Sequence, residues 1–324
     1  MMKPSMKSKR ITDYAITLII ILCLNFFLPR LLPGDPLAAI YGEEALVSMT
    51  PALKSQLSER FGLDRPLWHQ FLIYLISLAK GDLGYSYYSQ TPVASLILRT
   101  LPWSLLLAGL ALVVSTLLGF ILGLETGWQR GRTADKVILT AMMFLKGFPD
   151  FLVGILLLIV FGVLLGLFPL SGALTPYAGF KGVALIKDIL WHLALPLVSL
   201  VIVEVSAAYL LTRSTVVAIL GEPFILTARA KGLTEKRIKY RHVGKNTLLP
   251  LVTATGLKLG RVFTGTLFVE VVFAYPGMGL LVYNSLAARD YPVLQGVLLL
   301  VAIGVLGINL LVDLMYKKID PRVD

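Results

Sequence analysis

Six ionisable side chains, Lys146, Asp150, Glu204, Lys258, Arg261 and Glu270, interrupt runs that are otherwise apolar. Charge at such positions is costly, so it marks either an ion pair between packed elements or the lining of a wet path. Lys258 and Arg261 stand three apart and share one helix face, within reach of a carboxylate such as Glu204 or Asp150 on a neighbouring element. Pairing between helices and passage of a polar solute both fit this pattern. Nucleotide chemistry does not: Gly260 and Gly265 have the spacing of a phosphate-cradling loop, but Thr266 follows where Lys is required. His69, His192 and His242 fall in three separate regions and do not converge on one ion. The single Cys23 sits in an apolar run, so neither a Cys-based metal site nor a disulfide framework is available. No catalytic constellation and no bound metal or cofactor is expected.

A second kind of chemistry lies between Arg213 and Leu248, where eight Lys/Arg face two Glu. Within it, Thr227-Ala228-Arg229-Ala230-Lys231-Gly232 reads as a helical turn of small residues closed by a glycine. Ala228 and Ala230 permit close approach of a partner surface, Gly232 takes a left-handed stop, and Thr234 caps a second short polar helix. The pattern is a hairpin that a partner can grip. The competing reading is contact of a polybasic loop with anionic lipid, which needs charge but no ordered small-residue pattern.

The elements that must position these residues are set by composition. Hydrophobic residues make up 56% and charged residues 15% of 324, with a mean hydropathy of +0.80, well away from the roughly 25% charged of soluble domains. An all-α integral membrane protein is expected. Six segments reach the length of about 20 residues needed to span: Ile11–Leu28, Leu101–Leu124, Val137–Leu167, Leu190–Leu211, Leu249–Phe273 and Val293–Leu311. Lys3, Lys7, Lys9 and Arg10 precede the first; Arg130, Arg132 and Lys136 separate the second and third; Lys317, Lys318 and Arg322 follow the last. With the basic segment between the fourth and fifth, this places both termini in the cytoplasm. The same bias accounts for the net charge of +11 without a nucleic-acid partner.

The predicted organisation is a cytoplasmic N-terminus (1–10), a first span (11–28), an extracytoplasmic segment (29–100), a core (101–317) holding the cytoplasmic loop 213–248, and a cytoplasmic C-terminus (318–324). A basic start before an apolar run also suits a signal peptide, but the run is longer than the usual 7 to 15 or so residues, and retention is expected. Leu67, Phe71, Tyr74, Leu75 and Leu78 recur at helical spacing in the outer segment, predicting an amphipathic helix that either caps the spans or meets an external partner. Counting 1.5 Å per residue from the cytoplasmic ends puts Lys146, Glu204 and Lys258 at roughly 12 to 15 Å depth, with Arg261 and Asp150 slightly further out. Gly147, Phe148 and Pro149 fall mid-way along the third span, where Pro predicts a bend. No internal repeat is visible, which disfavours an ion-coupled secondary carrier built from related halves.

At the basic segment and its flanks the sequence resembles the inner-membrane permease subunits of ABC importers, in the dipeptide, oligopeptide and nickel branch. Thr227-Ala228-Arg229-Ala230-Lys231-Gly232-Leu233 and the closing Leu249-Pro250 carry this likeness. So do Leu32-Pro33-Gly34-Asp35-Pro36, Phe61-Gly62-Leu63-Asp64-Arg65-Pro66-Leu67, Gly81-Asp82-Leu83-Gly84-Tyr85-Ser86, Glu270 through Gly279, Arg289-Asp290-Tyr291-Pro292 and Asp320-Pro321-Arg322. The general family triplet is Glu-Ala-Ala; here it is Leu226-Thr227-Ala228, and the spacer to Leu249-Pro250 is about five residues longer, as in the peptide and nickel branch. The resemblance implies a type I importer permease fold and a second, homologous permease as heterodimer partner. It further implies two ATP-binding cassette ATPases that hold ATP and Mg, and an extracytoplasmic solute-binding protein. It assigns ATPase coupling to residues 227–232 and places Glu270, Phe273, Pro276 and Gly277 by an outer gate. Peptides are the expected cargo, with nickel or a metal chelate as the alternative.

Overall fold

The computed structural model describes residues 6–31, 37, 41, 43–60, 62–258 and 266–319. Arg261 and the stretches 32–36 and 320–322 lie outside the described residues. The chain divides into two compact units, residues 1–102 with 280–307, and residues 103–279 with 308–324.

In the first unit, α1 (Met6–Arg30) is followed by the short α2 (Glu43–Ser48) and α3 (Pro51–Arg60), then by α4 (Leu67–Ala79), the amphipathic helix anticipated from the sequence. Phe26 on α1 is fully buried, with ring centroids 5.1 Å from Phe71 and 5.6 Å from Tyr74 on α4. One side of α4 thus packs on α1, while Leu67, Trp68, Leu72, Ile73 and Ile76 remain exposed.

Two of the short motifs meet in this unit. Asp290, 2% exposed, accepts from the Ser86 hydroxyl and from the backbone N–H of Tyr87 (3.0 Å) and Tyr88 (3.3 Å). Gly84, at φ +80°, lies against Pro292. One buried carboxylate therefore ties the Gly81–Ser86 turn to the start of α14 (Tyr291–Ile319).

The second unit contains most of α5 (Val93–Trp128), then α6 (Thr133–Leu145) and α7 (Asp150–Leu157), which runs on as a π-helix over Leu158–Leu164. The 38-residue α8 (Val183–Leu220) follows. Next come α9 (Pro223–Ala230), α10 (Glu235–Arg237), a π-helical turn (Ile238–Gly244), α11 (Lys245–Lys258) and α12 (Leu267–Val272). α13 (Met278–Ala287) leads back into the first unit. Gly119, Gly123 and Gly127 line one ridge of α5 against Ala208, Thr212 and Val216 of α8. A methyl group added at Gly119 would stand 2.8 Å from the Tyr209 backbone nitrogen. The glycines let two backbones touch, which is how helices pack where lipid offers no hydrophobic drive.

Three described helices are long and apolar enough to cross a membrane: Val93–Trp128, Val183–Leu220 and Tyr291–Leu310. Thr133–Leu145 and Asp150–Leu164 reach that length and apolarity only together, and they are bent by 98° at the break between them. The bend expected at Pro149 is thus a full break, because Gly147 and Phe148 leave the helix and Pro149 starts a new one. The expected first span holds a shorter apolar helix, Ile16–Phe27. The expected fifth is divided between α11 and α12, which flank residues 259–265.

Candidate functional site

The basic segment is mostly helix rather than loop. α8 continues nine residues past the expected span end at Leu211, and helix resumes at Glu235, so the only sharp turns lie at Gly221 and Gly232. Gly232 has φ +74° with open space around its Cβ position, and the Thr234 hydroxyl accepts from the Arg237 N–H at 3.4 Å. Between these turns, α9 has two faces. Ile225 and Ala228 are buried with Leu124, Val216, Ile238 and Val243 in one apolar cluster. Phe224, Leu226, Thr227, Arg229, Ala230 and Lys231 are exposed.

This corrects the expectation for Ala228. Its small side chain serves close packing against the chain's own helices, not against a partner, and only Ala230 of the two alanines faces outward. Two large apolar side chains of the helix, Phe224 (41% exposed) and Leu226 (66%), stay outside the cluster on either side of the buried stripe. The signal for this was in the sequence: apolar residues at 224, 225 and 226 cannot share one helix face, so some had to point away from the core.

Charge welds the segment to the long helices as well. Lys239, 8% exposed, pairs with Glu125 near the end of α5, and the Tyr240 hydroxyl donates to the same carboxylate at 2.7 Å. Arg213 on α8 grips Asp135 on α6, which also accepts from the Gly131 N–H. The exposed Arg229–Glu235 pair at 3.1 Å spans the Gly232 turn and contributes little.

At the other end of the unit, Glu270 is fully buried. Its Oε1 accepts from the hydroxyls of Ser104 (2.6 Å) and Thr266 (2.7 Å), and its Oε2 from the Gly279 N–H (2.6 Å). Ser104 Oγ in turn accepts from the Met278 N–H at 2.7 Å. A Cβ at Gly277 would collide with the Glu270 carboxylate and the Ser104 hydroxyl, and one at Gly279 with the Leu267 backbone. Pro276 sits in the turn between Tyr275 and Gly277, where Ala274 has φ +44°. Phe273, 2% exposed, accepts from the Gly172 N–H through its carbonyl at 2.9 Å. The four residues expected at the gate are therefore parts of one tightly bonded turn.

Glu204 on α8 accepts from the Ser115 hydroxyl at 3.2 Å, Asp150 bonds the Phe151 N–H at the start of α7, and Lys146 is exposed at the break before it. Lys258 ends α11. Among the described residues no group of three His, Cys, Asp or Glu side chains is placed to hold a metal. His192 is buried with Nδ1 2.9 Å from the Asp188 carbonyl, whereas His69 contacts Arg65.

A family model described as "Binding-protein-dependent transport system inner membrane component" matches residues 115–324, and the model of the corresponding N-terminal part matches residues 5–108. The chain belongs to this permease family. The dipeptide transport system permease protein DppB of Escherichia coli (strain K12) is 34% identical over 327 residues, covering 95% of each chain. The di/tripeptide transport system permease protein DppB of Pseudomonas aeruginosa (strain UCBPP-PA14) is 33% identical over 326 residues, covering 96% of this chain and 95% of that one. The glutathione transport system permease protein GsiC of Escherichia coli (strain K12) is 35% identical over 315 residues, covering 97% of each.

Membership fixes the broad role. The permease is the multi-pass inner-membrane component of an ABC importer and is not itself an enzyme. ATP hydrolysis and solute capture belong to an ATPase and a binding protein in the same transport system.

Proposed function

We propose that this permease imports short peptides and is driven through the outer face of α9. It forms half of a translocation path in a type I arrangement of six spans with both termini cytoplasmic. A second, homologous permease completes the path, two ATPases dock beneath, and a binding protein delivers cargo from outside. Peptide cargo rests on the relatives, which are named for dipeptides, di/tripeptides and glutathione.

The observation that carries the coupling role is the two-faced helix. Its inner face belongs to the apolar cluster that also holds Leu124 of α5 and Val216 of α8, while Phe224 and Leu226 stand exposed on either side of that face. A push on the outer face cannot be absorbed by a slack loop; the packed cluster and the Lys239–Glu125 pair pass it to both long helices. By the same reading, Thr227, Arg229, Ala230 and Lys231 border the ATPase contact, and Gly232 holds the turn behind it.

Glu270, Phe273, Pro276 and Gly277 form the outer closure. Glu204, Lys258 and Lys146, with Asp150 and Arg261, supply the polar groups of the membrane interior. The test is uptake of a labelled dipeptide into proteoliposomes holding the whole importer, beside a Thr227→Cys crosslinking experiment. Uptake that requires ATP and a crosslink to the ATPase are expected. Uptake without ATPase subunits would point to a carrier, and a crosslink that captures only lipid would return the polybasic-loop reading.

A further inference from the structure

The unit built from residues 1–102 and 280–307 holds a cavity of about 180 Å³ that the transport scheme above leaves unused. It is bordered by Arg30 at the end of α1, Gln70 and Tyr74 on α4, Asp82 and Tyr87 in the following turn, and Gln295 on α14.

Its polar groups are mostly donors. The Arg30 guanidinium packs 3.7 Å above the Phe26 ring, gives Nε to Gln70 Oε1 at 3.2 Å and one terminal nitrogen to the Phe26 carbonyl at 3.0 Å. Its other terminal nitrogen has no acceptor among the described residues. Gln295, 7% exposed, carries a buried amide nitrogen that no described group satisfies. The Tyr74 hydroxyl already accepts from Asn25 at 3.1 Å, so its own proton points elsewhere. Burial pushes the Tyr87 hydroxyl up to about 12, which keeps it protonated. Arginine is a planar, permanently charged fork matched to two oxygens. Asp82 supplies the opposite charge at the exposed side, with one oxygen held by the Gly84 N–H at 2.8 Å. A dianion would be repelled by Asp82; a zwitterion would be held at both ends.

We propose that this cavity binds the free carboxylate of a short peptide, with Arg30 and Gln295 donating to the carboxylate and Asp82 facing the peptide ammonium. The proposal rests on the peptide reading of the cargo. It makes this unit a second place of cargo recognition beside the binding protein.

The experiment uses the full chain in phosphatidylcholine nanodiscs and radiolabelled Ala-Ala as the probe. Saturable binding is expected, with Ala-Ala amide and inorganic phosphate each at least about tenfold weaker as competitors, since a charge-assisted pair is lost or opposed. Arg30→Lys and Gln295→Leu should each weaken Ala-Ala binding about tenfold. The second variant removes no contact that the fold uses, so it covers the case in which Arg30→Lys fails to fold.

Equal competition by the amide, or unchanged binding by Gln295→Leu, would overturn the proposal. No saturable binding in phosphatidylcholine, or a response to phosphatidylethanolamine in place of the peptide, would overturn it too. In the assembled importer, Ala-Ala uptake with an unchanged KM in Gln295→Leu would remove this site and leave the peptide reading standing. No Ala-Ala uptake by the parent importer would remove both.

Discussion

Arg213 holds Asp135 by two hydrogen bonds, Nε to Oδ1 at 2.6 Å and Nη2 to Oδ2 at 2.8 Å, and so locks α8 to α6 at the base of the basic segment. Asp135 is 2% exposed, and a paired fork of this geometry is far stronger than a surface ion pair. Removing one partner leaves the other charge stranded. Asp135→Ala should therefore lower stability by about 3 kcal/mol, whereas the double change Asp135→Ala with Arg213→Met should recover most of the loss. Thermal unfolding of the purified permease in detergent measures both. Equal losses in the single and double variants would show that the pair is not what holds these helices.

The glycine ridge allows a sharper contrast. Gly119, Gly123 and Gly127 face α8 with no room for a methyl group, while Gly109 on the same helix has nothing within 4 Å of its Cβ position. Gly123→Leu should abolish or strongly reduce folded protein, since forced overpacking costs roughly 1–3 kcal/mol even where neighbours yield, and here backbone lies in the way. Gly109→Ala should be tolerated. Size-exclusion profiles of the two variants decide the matter; a normal profile for Gly123→Leu would mean that α5 and α8 are free to separate.

Much of this architecture is legible in residue order. Apolar length finds α5, α8 and α14, helical spacing finds α4, and the small-residue run with Gly232 finds the turn after α9, because each depends on local pattern alone. What stayed hidden depends on who faces whom. Ala228 and Ala230 look alike in sequence, yet one is buried and the other exposed, since the facing is fixed by Leu124, Val216 and Ile238 brought from distant positions. Glu270 reads as one more charge interrupting an apolar run until Ser104, from 166 residues away, supplies its partner. The Gly81–Ser86 and Arg289–Pro292 motifs, separate on paper, prove to be two sides of one junction through Asp290.

The two faces of α9 separate coupling from folding. Ala228→Trp drives an indole into a packed cluster and should reduce the amount of folded permease, so any loss of transport would say nothing about the partner. Phe224→Ala with Leu226→Ala truncates exposed side chains and should leave expression and unfolding temperature within error. In the assembled importer, the same double variant should lower peptide-stimulated ATPase activity at least tenfold, because apolar anchors dominate contacts of this kind. Normal stimulated hydrolysis in that variant would move the ATPase contact off this helix.

Glu270 tests whether the outer turn is a latch. The carboxylate oxygens take three donors, from Ser104, Thr266 and Gly279. Glu270→Gln keeps the shape but turns one oxygen into a donor. The two hydroxyls can rotate to accommodate an amide nitrogen; the Gly279 N–H cannot, so the Oε2 side must stay a carbonyl and the bonds from Ser104 and Thr266 must rearrange. That releases Ser104, which is also the acceptor for the Met278 N–H. The turn should loosen without coming apart. Peptide uptake should fall several-fold, with the permease still copurifying with its partner subunits. Gly277→Ala, which places a methyl on the carboxylate itself, should be the more severe of the two and should reduce folded protein as well. Accessibility of Phe273→Cys to a membrane-impermeant thiol reagent gives the direct readout in a background where Cys23 is replaced by Ser. Phe273 is 2% exposed in the closed turn, so labelling should be slow alone and faster when Glu270→Gln is added. Identical labelling rates in the two backgrounds would mean that the carboxylate holds the local fold and has no part in closing the outer side.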